Sequence, residues 1–276
     1  MLFVVTPLNL RRLNPFHIPM NWSYKMLSSS IGQKILMSLT GLFLCSFLVI
    51  HLIGNIQLLN EDGGLSFNQY TVFMTTSPLI KAISYLLYFT IVFHAYKGLV
   101  LAVRNKQART SKYAISPGNS TSFWASRWMG VLGTIILVFI VVHMSEFWFE
   151  YKFGQLPYKQ YEVNLSTGEP IAINDYNQPI TTKMVEYIEG NSKIVIVKDI
   201  YGITRTAFKN PFIVLLYVFS MGAIAFHLIH GFKSSFQTLG LNHSKYNPLI
   251  RFLGLWVFGI AIPVAFAVLP VYIFFS

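Results

Sequence analysis

Ile35-Leu-Met-Ser-Leu-Thr-Gly-Leu-Phe-Leu-Cys-Ser-Phe-Leu-Val-Ile-His-Leu-Ile-Gly-Asn-Ile-Gln-Leu58 contains no Asp, Glu, Lys or Arg. A helix needs about 20 such residues to cross a hydrocarbon core of ~30 Å. Four more stretches of this kind follow, at roughly 80–103, 124–148, 211–235 and 249–275, and the single acid they hold is Glu146, at the end of the third. A soluble core rarely holds one helix of this length and character, and five in one chain predict an all-α integral membrane protein. The pattern divides the chain into an N-terminal segment, 1–30, and a five-helix transmembrane domain, 31–276, with one long connection, 149–210.

The composition agrees. Of 276 residues 54% are hydrophobic and 11% charged, against about 25% charged in a soluble domain. A lipid-facing surface explains the deficit, because exposed charge is penalised there. The one cysteine, Cys45, lies inside the first apolar run, which excludes a disulfide framework and a cysteine-based metal site. The net charge of +11 does not point to nucleic acid, because the cations sit in short segments between apolar runs. Segment 1–30 lacks a signal-peptide layout.

Counting charges by side gives a direction. Arg11, Arg12, Lys25, Lys34, Arg104, Lys106, Arg109, Lys112, Arg127, Lys233, Lys245 and Arg251 fall on one side with no acid. The other side holds all ten acids with eight cations. By the positive-inside rule the N-terminus is expected in the cytoplasm and the C-terminus outside. The long outer loop carries the run Lys193-Ile-Val-Ile-Val-Lys198 and the turn signal Ser166-Thr-Gly-Glu169, which predict a small β-hairpin cap.

Seven histidines are present, and the first four spans carry His51, His94, His143, and His227 with His230. Any one of them is as well explained as polar glue between helices. One per helix at matched depths is not. His51 and His143 come late in outward-running spans, near the outer face. His94 and His227 come past the middle of inward-running spans, nearer the inner face. A haem iron takes two axial ligands, and neutral imidazole serves. Two pairs at two levels therefore predict two stacked haem b groups in a bundle of four helices, with the fifth helix peripheral.

The surroundings carry weaker signals. His94-Ala-Tyr-Lys-Gly98 and His227-Leu-Ile-His-Gly231 share H-x-x-x-G, where the glycine leaves room one turn from the ligand and favours His227 over His230. Gly41 and Ser38 precede His51 by ten and thirteen residues, and Gly133 and Gly130 precede His143 likewise. Ten residues of helix rise about 15 Å, which reaches the level of the other pair, although packing glycines would look the same. Ser38, Lys97, Arg127 and Lys233 lie near the inner edge as candidate propionate donors, or as interfacial anchors beside Trp124 and Trp128. Asn55, Gln57 and Glu146 are polar groups near the outer pair, where a quinone could bind and Glu146 could relay protons.

Ser30-Ile-Gly-Gln-Lys-Ile-Leu-Met-Ser-Leu-Thr-Gly-Leu-Phe43, followed by His51-Leu-Ile-Gly-Asn55, resembles the first span of the di-haem cytochrome b membrane-anchor subunit of bacterial succinate dehydrogenase and fumarate reductase. Further similarity lies in Trp124-Ala-Ser-Arg-Trp128, around His143, and in His227-Leu-Ile-His-Gly-Phe-Lys-Ser-Ser-Phe-Gln-Thr-Leu-Gly240, so that the resemblance covers roughly 28–275. It implies two haems b, one held by His51 with His143 and one by His94 with His227. It also implies a flavoprotein with covalent FAD and an iron–sulfur protein docked on the cytoplasmic face of a bacterial inner membrane, with menaquinone as the lipid-soluble substrate. Some quinol-oxidising members carry a glutamate two residues before the fourth ligand. Here that residue is Ala225, which favours succinate oxidation over fumarate reduction. Two other readings are a di-haem cytochrome b of a formate dehydrogenase or hydrogenase, and a haem-free transporter whose histidines relay protons.

Overall fold

Ser29 opens the first span: its hydroxyl accepts the Gly32 backbone N–H at 3.0 Å, satisfying a donor that the first helical turn leaves free. The computed structural model describes residues 22–107, 124–178 and 180–276. Its helices are α1 (Trp22–Ser28), α2 (Ser30–Ile56), α3 (Leu65–Thr76), α4 (Pro78–Gln107), α5 (Trp124–His143), α6 (Glu150–Phe153), α7 (Ile200–Phe208), α8 (Pro211–Thr238), α9 (Asn247–Phe252) and α10 (Ile262–Phe275). Wider π-helical turns at Met144–Phe149 and Leu253–Ala261 join α5 to α6 and α9 to α10 into continuous rods.

Five helical spans are long and apolar enough to cross a membrane: Ser30–Leu59, Pro78–Gln107, Ser126–Phe153, Pro211–Thr238 and Asn247–Phe275. Their outward surfaces are apolar, with Leu79, Phe89 and Phe212 more than 60% exposed. Lipid would cover them at no hydrophobic cost. Asn210 caps the fourth span through its side-chain oxygen, and Pro211 fills the first helical position, where a missing N–H costs nothing. Arg104 and Lys106 end the second span, matching the negative end of the helix dipole.

The first four spans form a closed ring. The first packs on the second, the second on the third, the third on the fourth, and the fourth back on the first. The fifth packs on the outside of the ring, against the fourth and first. Phe232 stacks on Phe258 at 4.7 Å between centroids, over Gly254, and so seats the two rods. In such a ring the first and third spans are diagonal partners, as are the second and fourth.

The long connection holds more than the expected hairpin. Strands β1 (Tyr158–Asn164), β2 (Pro170–Tyr176), β3 (Met184–Glu189) and β4 (Ser192–Lys198) form an antiparallel sheet in the order β2-β1-β4-β3. The protein is mostly helical, with a β cap on one end of the bundle. β4 contains the run 193–198. It is buried on both faces, and it is a central strand, paired with β1 and β3 alike. Gly190 turns β3 into β4 with φ +59°, a backbone open to glycine.

A buried polar clip fastens the cap to the bundle. Asn68 of α3 donates to Tyr161 Oη at 3.2 Å and to Asp199 Oδ1 at 3.1 Å, and its own oxygen accepts the Tyr201 N–H at 2.9 Å. Asn68 and Tyr161 are fully buried, and Asp199 nearly so. Burial and the neighbouring Asp199 carboxylate push the Tyr161 phenol well above the usual tyrosine range, so it stays neutral. Asp199 also caps α7 by accepting the Gly202 N–H. One carboxylate thus serves the sheet, the helix α7 and α3 together.

Candidate functional site

The four histidines meet inside the ring as two diagonal pairs. His51 of the first span and His143 of the third stand 5.7 Å apart between ring centroids, edge to face at 85°. His94 of the second span and His227 of the fourth stand 6.4 Å apart at 67°. The first pair lies nearer the capped end, and the second pair nearer the opposite end. It is His227, not His230, whose ring faces His94.

Other groups fix these rings. Thr40 Oγ1 lies 2.9 Å from His94 Nδ1, and Tyr217 Oη lies 3.0 Å from His143 Nδ1. Asn55 donates to the His51 carbonyl at 2.7 Å, whereas its amide is 3.4 Å from His51 Nδ1, at the edge of hydrogen-bond range. Among the described residues His227 Nδ1 is buried with no hydrogen-bond partner.

The glycines ten residues before the ligands lie at the other level. A Cβ on Gly41 would meet His94 Cε1 at 3.3 Å, and one on Gly133 would meet His227 Cε1 at 3.7 Å. The pair His94–His227 therefore sits between two helix surfaces lacking side chains. The pair His51–His143 is boxed by aromatics instead: Phe47 at 5.1 Å and Phe266 at 5.5 Å from His51, and Phe139 at 5.7 Å and Phe147 at 5.5 Å from His143. Phe266 belongs to the fifth span, so the peripheral helix reaches the upper pair.

The remaining candidates are dispersed. Ser38 is buried one turn from Gly41, and its hydroxyl donates to the Lys34 carbonyl at 3.0 Å. Lys97 Nζ stands 5.7 Å over the Phe93 ring. Arg127 is exposed near the start of the third span. Lys233 lines a cleft with Asn242, Asn247 and Arg251; six residues at about 100° each turn it to a different side of the helix from His227. Glu146 lies in the π-helical turn just past His143. Arg11, Arg12, Arg109 and Lys112 lie outside the described residues.

No family model, characterised protein or solved structure matches the chain.

Tyr217 and Thr40 escaped the sequence reading. Tyr217 precedes His227 by ten residues, the same offset that places Gly41 and Gly133. The spacing that singled out small residues also applied to this large one. Thr40 precedes His51 by eleven, about three full turns, and so shares its face of the helix.

Proposed function

We propose that the chain is the membrane-anchor cytochrome b subunit of a succinate:quinone oxidoreductase, with one haem b between His51 and His143 and another between His94 and His227. The observation that carries this reading is the pair of diagonal histidine contacts. Metal–imidazole bonds of about 2.0 Å on both sides, plus the half-width of each ring, separate two axial imidazoles by about 6 Å between centroids. The distances 5.7 and 6.4 Å bracket that value. A bare transition ion seeks about four ligands, whereas each level offers two imidazoles, the complement a porphyrin iron requires. The absent side chains at Gly41 and Gly133 suit a flat macrocycle beside His94 and His227. Two haems at two depths supply an electron path along the bundle.

The charge distribution supports the rest. Lys34, Arg104, Lys106, Arg127, Lys233, Lys245 and Arg251 lie toward the end away from the cap, in segments whose described residues include no Asp or Glu. That end faces the cytoplasm in this reading, where an iron–sulfur subunit and an FAD-bearing flavoprotein dock and carry out the dicarboxylate chemistry. The cap then lies outside a bacterial inner membrane. Menaquinone is the lipid-soluble partner, with Asn55 and Glu146 near the outer pair as candidate contacts. Ala225 in place of an acid favours succinate oxidation over quinol-driven fumarate reduction.

The test is an absorption spectrum and pyridine-haemochrome assay on the complex purified through this chain. Two haems b per chain, with co-purifying flavin and iron–sulfur subunits and reduction of the haems by succinate, are expected. A preparation with no Soret band would leave a haem-free transporter.

A further inference from the structure

We infer that Thr40 is the positioning residue for His94: it fixes the imidazole tautomer that leaves Nε2 free to bind iron, and Thr40 with Gly41 forms the seat of that ring. The inference rests on the haem reading above for its purpose, but the tautomer itself follows from hydrogen-bond arithmetic.

A threonine hydroxyl has one proton. Thr40 Oγ1 lies 2.8 Å from the Leu36 carbonyl, 3.1 Å from the Met37 carbonyl and 2.9 Å from His94 Nδ1. Both carbonyls can only accept, and one turn of helix holds the hydroxyl against them. The proton therefore goes to the helix's own backbone. The oxygen's lone pair then faces His94, and Nδ1 must bring the N–H. A neutral imidazole protonated at Nδ1 carries its lone pair on Nε2. In the opposite tautomer the N–H would sit on Nε2. His94 has no hydrogen bond but the one to Thr40 among the described residues, so that N–H would be stranded in the bundle, which is costly.

Gly41 completes the seat. The next residue along the same helix lets His94 Cε1 come to where a Cβ would already be tight, at 3.3 Å. Hydroxyl and bare backbone together fix both the spin and the approach of the ring. Because Thr40 shares a helix face with His51, the first span supplies a ligand to one level and the support to the other. A metal-bound histidine whose second nitrogen donates to a fixed acceptor is a more basic ligand, and losing such a partner costs roughly 10–100-fold in metal affinity.

Three forms of the full chain in its native membrane, wild type, Thr40→Val and Thr40→Ser, test this. Valine keeps the shape without the oxygen, and serine keeps the oxygen. Haem content and potentiometric titration should show one haem in Thr40→Val bound roughly 10–100-fold more weakly and shifted to higher potential, because a less basic imidazole stabilises ferric iron less. The other haem should be unchanged, and Thr40→Ser should restore the first. Solid-state 15N-histidine spectra of haem-depleted membranes provide the independent readout, with His94 assigned by difference from His94→Gln. Wild type and Thr40→Ser should show an N–H at Nδ1, and Thr40→Val should lose it. An Nε2–H form in the wild type, or a Thr40→Val protein matching wild type in both potential and spectrum, overturns the inference. Failure of Thr40→Ser to rescue also overturns it, by showing that the methyl group and not the oxygen matters. Absence of haem from the wild type would defeat the cytochrome reading alone, since the nitrogen spectrum still decides the tautomer.

Discussion

The two histidine levels share a plan and differ in construction. Near the basic end, His94 and His227 lie against Gly41 and Gly133, with Thr40 bonded to one ring and, among the described residues, no partner for Nδ1 of the other. Near the cap, His51 and His143 are enclosed by Phe47, Phe139, Phe147 and Phe266, and Tyr217 takes the Thr40 role at 3.0 Å. One level is open along its helix surfaces and the other is walled by rings. The hydrogen bonds and the polarity around a ligated iron set its potential. Four interchangeable-looking histidines therefore prescribe two unlike sites. Tyr217 differs from Thr40 in one respect that matters: among the described residues its hydroxyl has no hydrogen-bond partner but His143, so no backbone carbonyl takes its proton and this contact does not by itself choose the His143 tautomer.

On the cytochrome reading proposed above, the largest effects come from the four paired histidines. His94→Ala or His227→Ala should remove one haem of about two per chain, and His51→Ala or His143→Ala the other; pyridine-haemochrome assay against protein measures it. Loss of both haems from any one variant would mean that the levels are not independent. If His230→Ala loses a haem while His227→Ala keeps both, the pairing with His94 is wrong.

The next test presses on the open level. Gly41→Val should displace His94 and lower haem content at that level severalfold, because the Cβ contact of 3.3 Å is already tight. Gly133→Ala, at 3.7 Å from His227, should be tolerated. Equal behaviour of the two would show that the glycines pack helices and do not shape a pocket.

A smaller effect is expected at the walled level. Tyr217→Phe keeps the ring in the aromatic box and removes the hydroxyl bonded to His143. Haem affinity there should fall roughly 10–100-fold, with the other haem unchanged, as read by titration of haem-depleted membranes. A shift confined to the haem of His94 and His227 would contradict the pairing. Smallest of all, Asn55→Leu should leave the potential of that haem where it was, because the 3.4 Å contact with His51 Nδ1 is too long to polarise the ring. A change as large as that of Tyr217→Phe would raise Asn55 to an equal partner.

Away from both levels, the cap was read only in part. The run 193–198 announced a strand by its apolar residues. β1, Tyr158-Lys-Gln-Tyr-Glu-Val-Asn164, did not, because Lys159, Gln160, Glu162 and Asn164 interrupt any apolar run. Only Tyr161 and Val163 of β1 are buried. Asn68 gave no signal at all, since a lone asparagine on a short helix carries nothing in sequence that marks it as the bolt between α3, β1 and α7.

Sequence by itself determined the five spans, because the length of an apolar run and the cost of charge in hydrocarbon are properties of the chain alone. It also set the depth of each histidine, because helical rise is fixed per residue. Tertiary structure decided which histidine faces which, since only the closed ring makes the first and third spans, and the second and fourth, diagonal. It decided as well which small residue meets which imidazole, and that Thr40 and Tyr217 stand at the second nitrogen. Those contacts depend on how helices rotate about their own axes when they pack, and a hydropathy pattern that is apolar on every side leaves that rotation open.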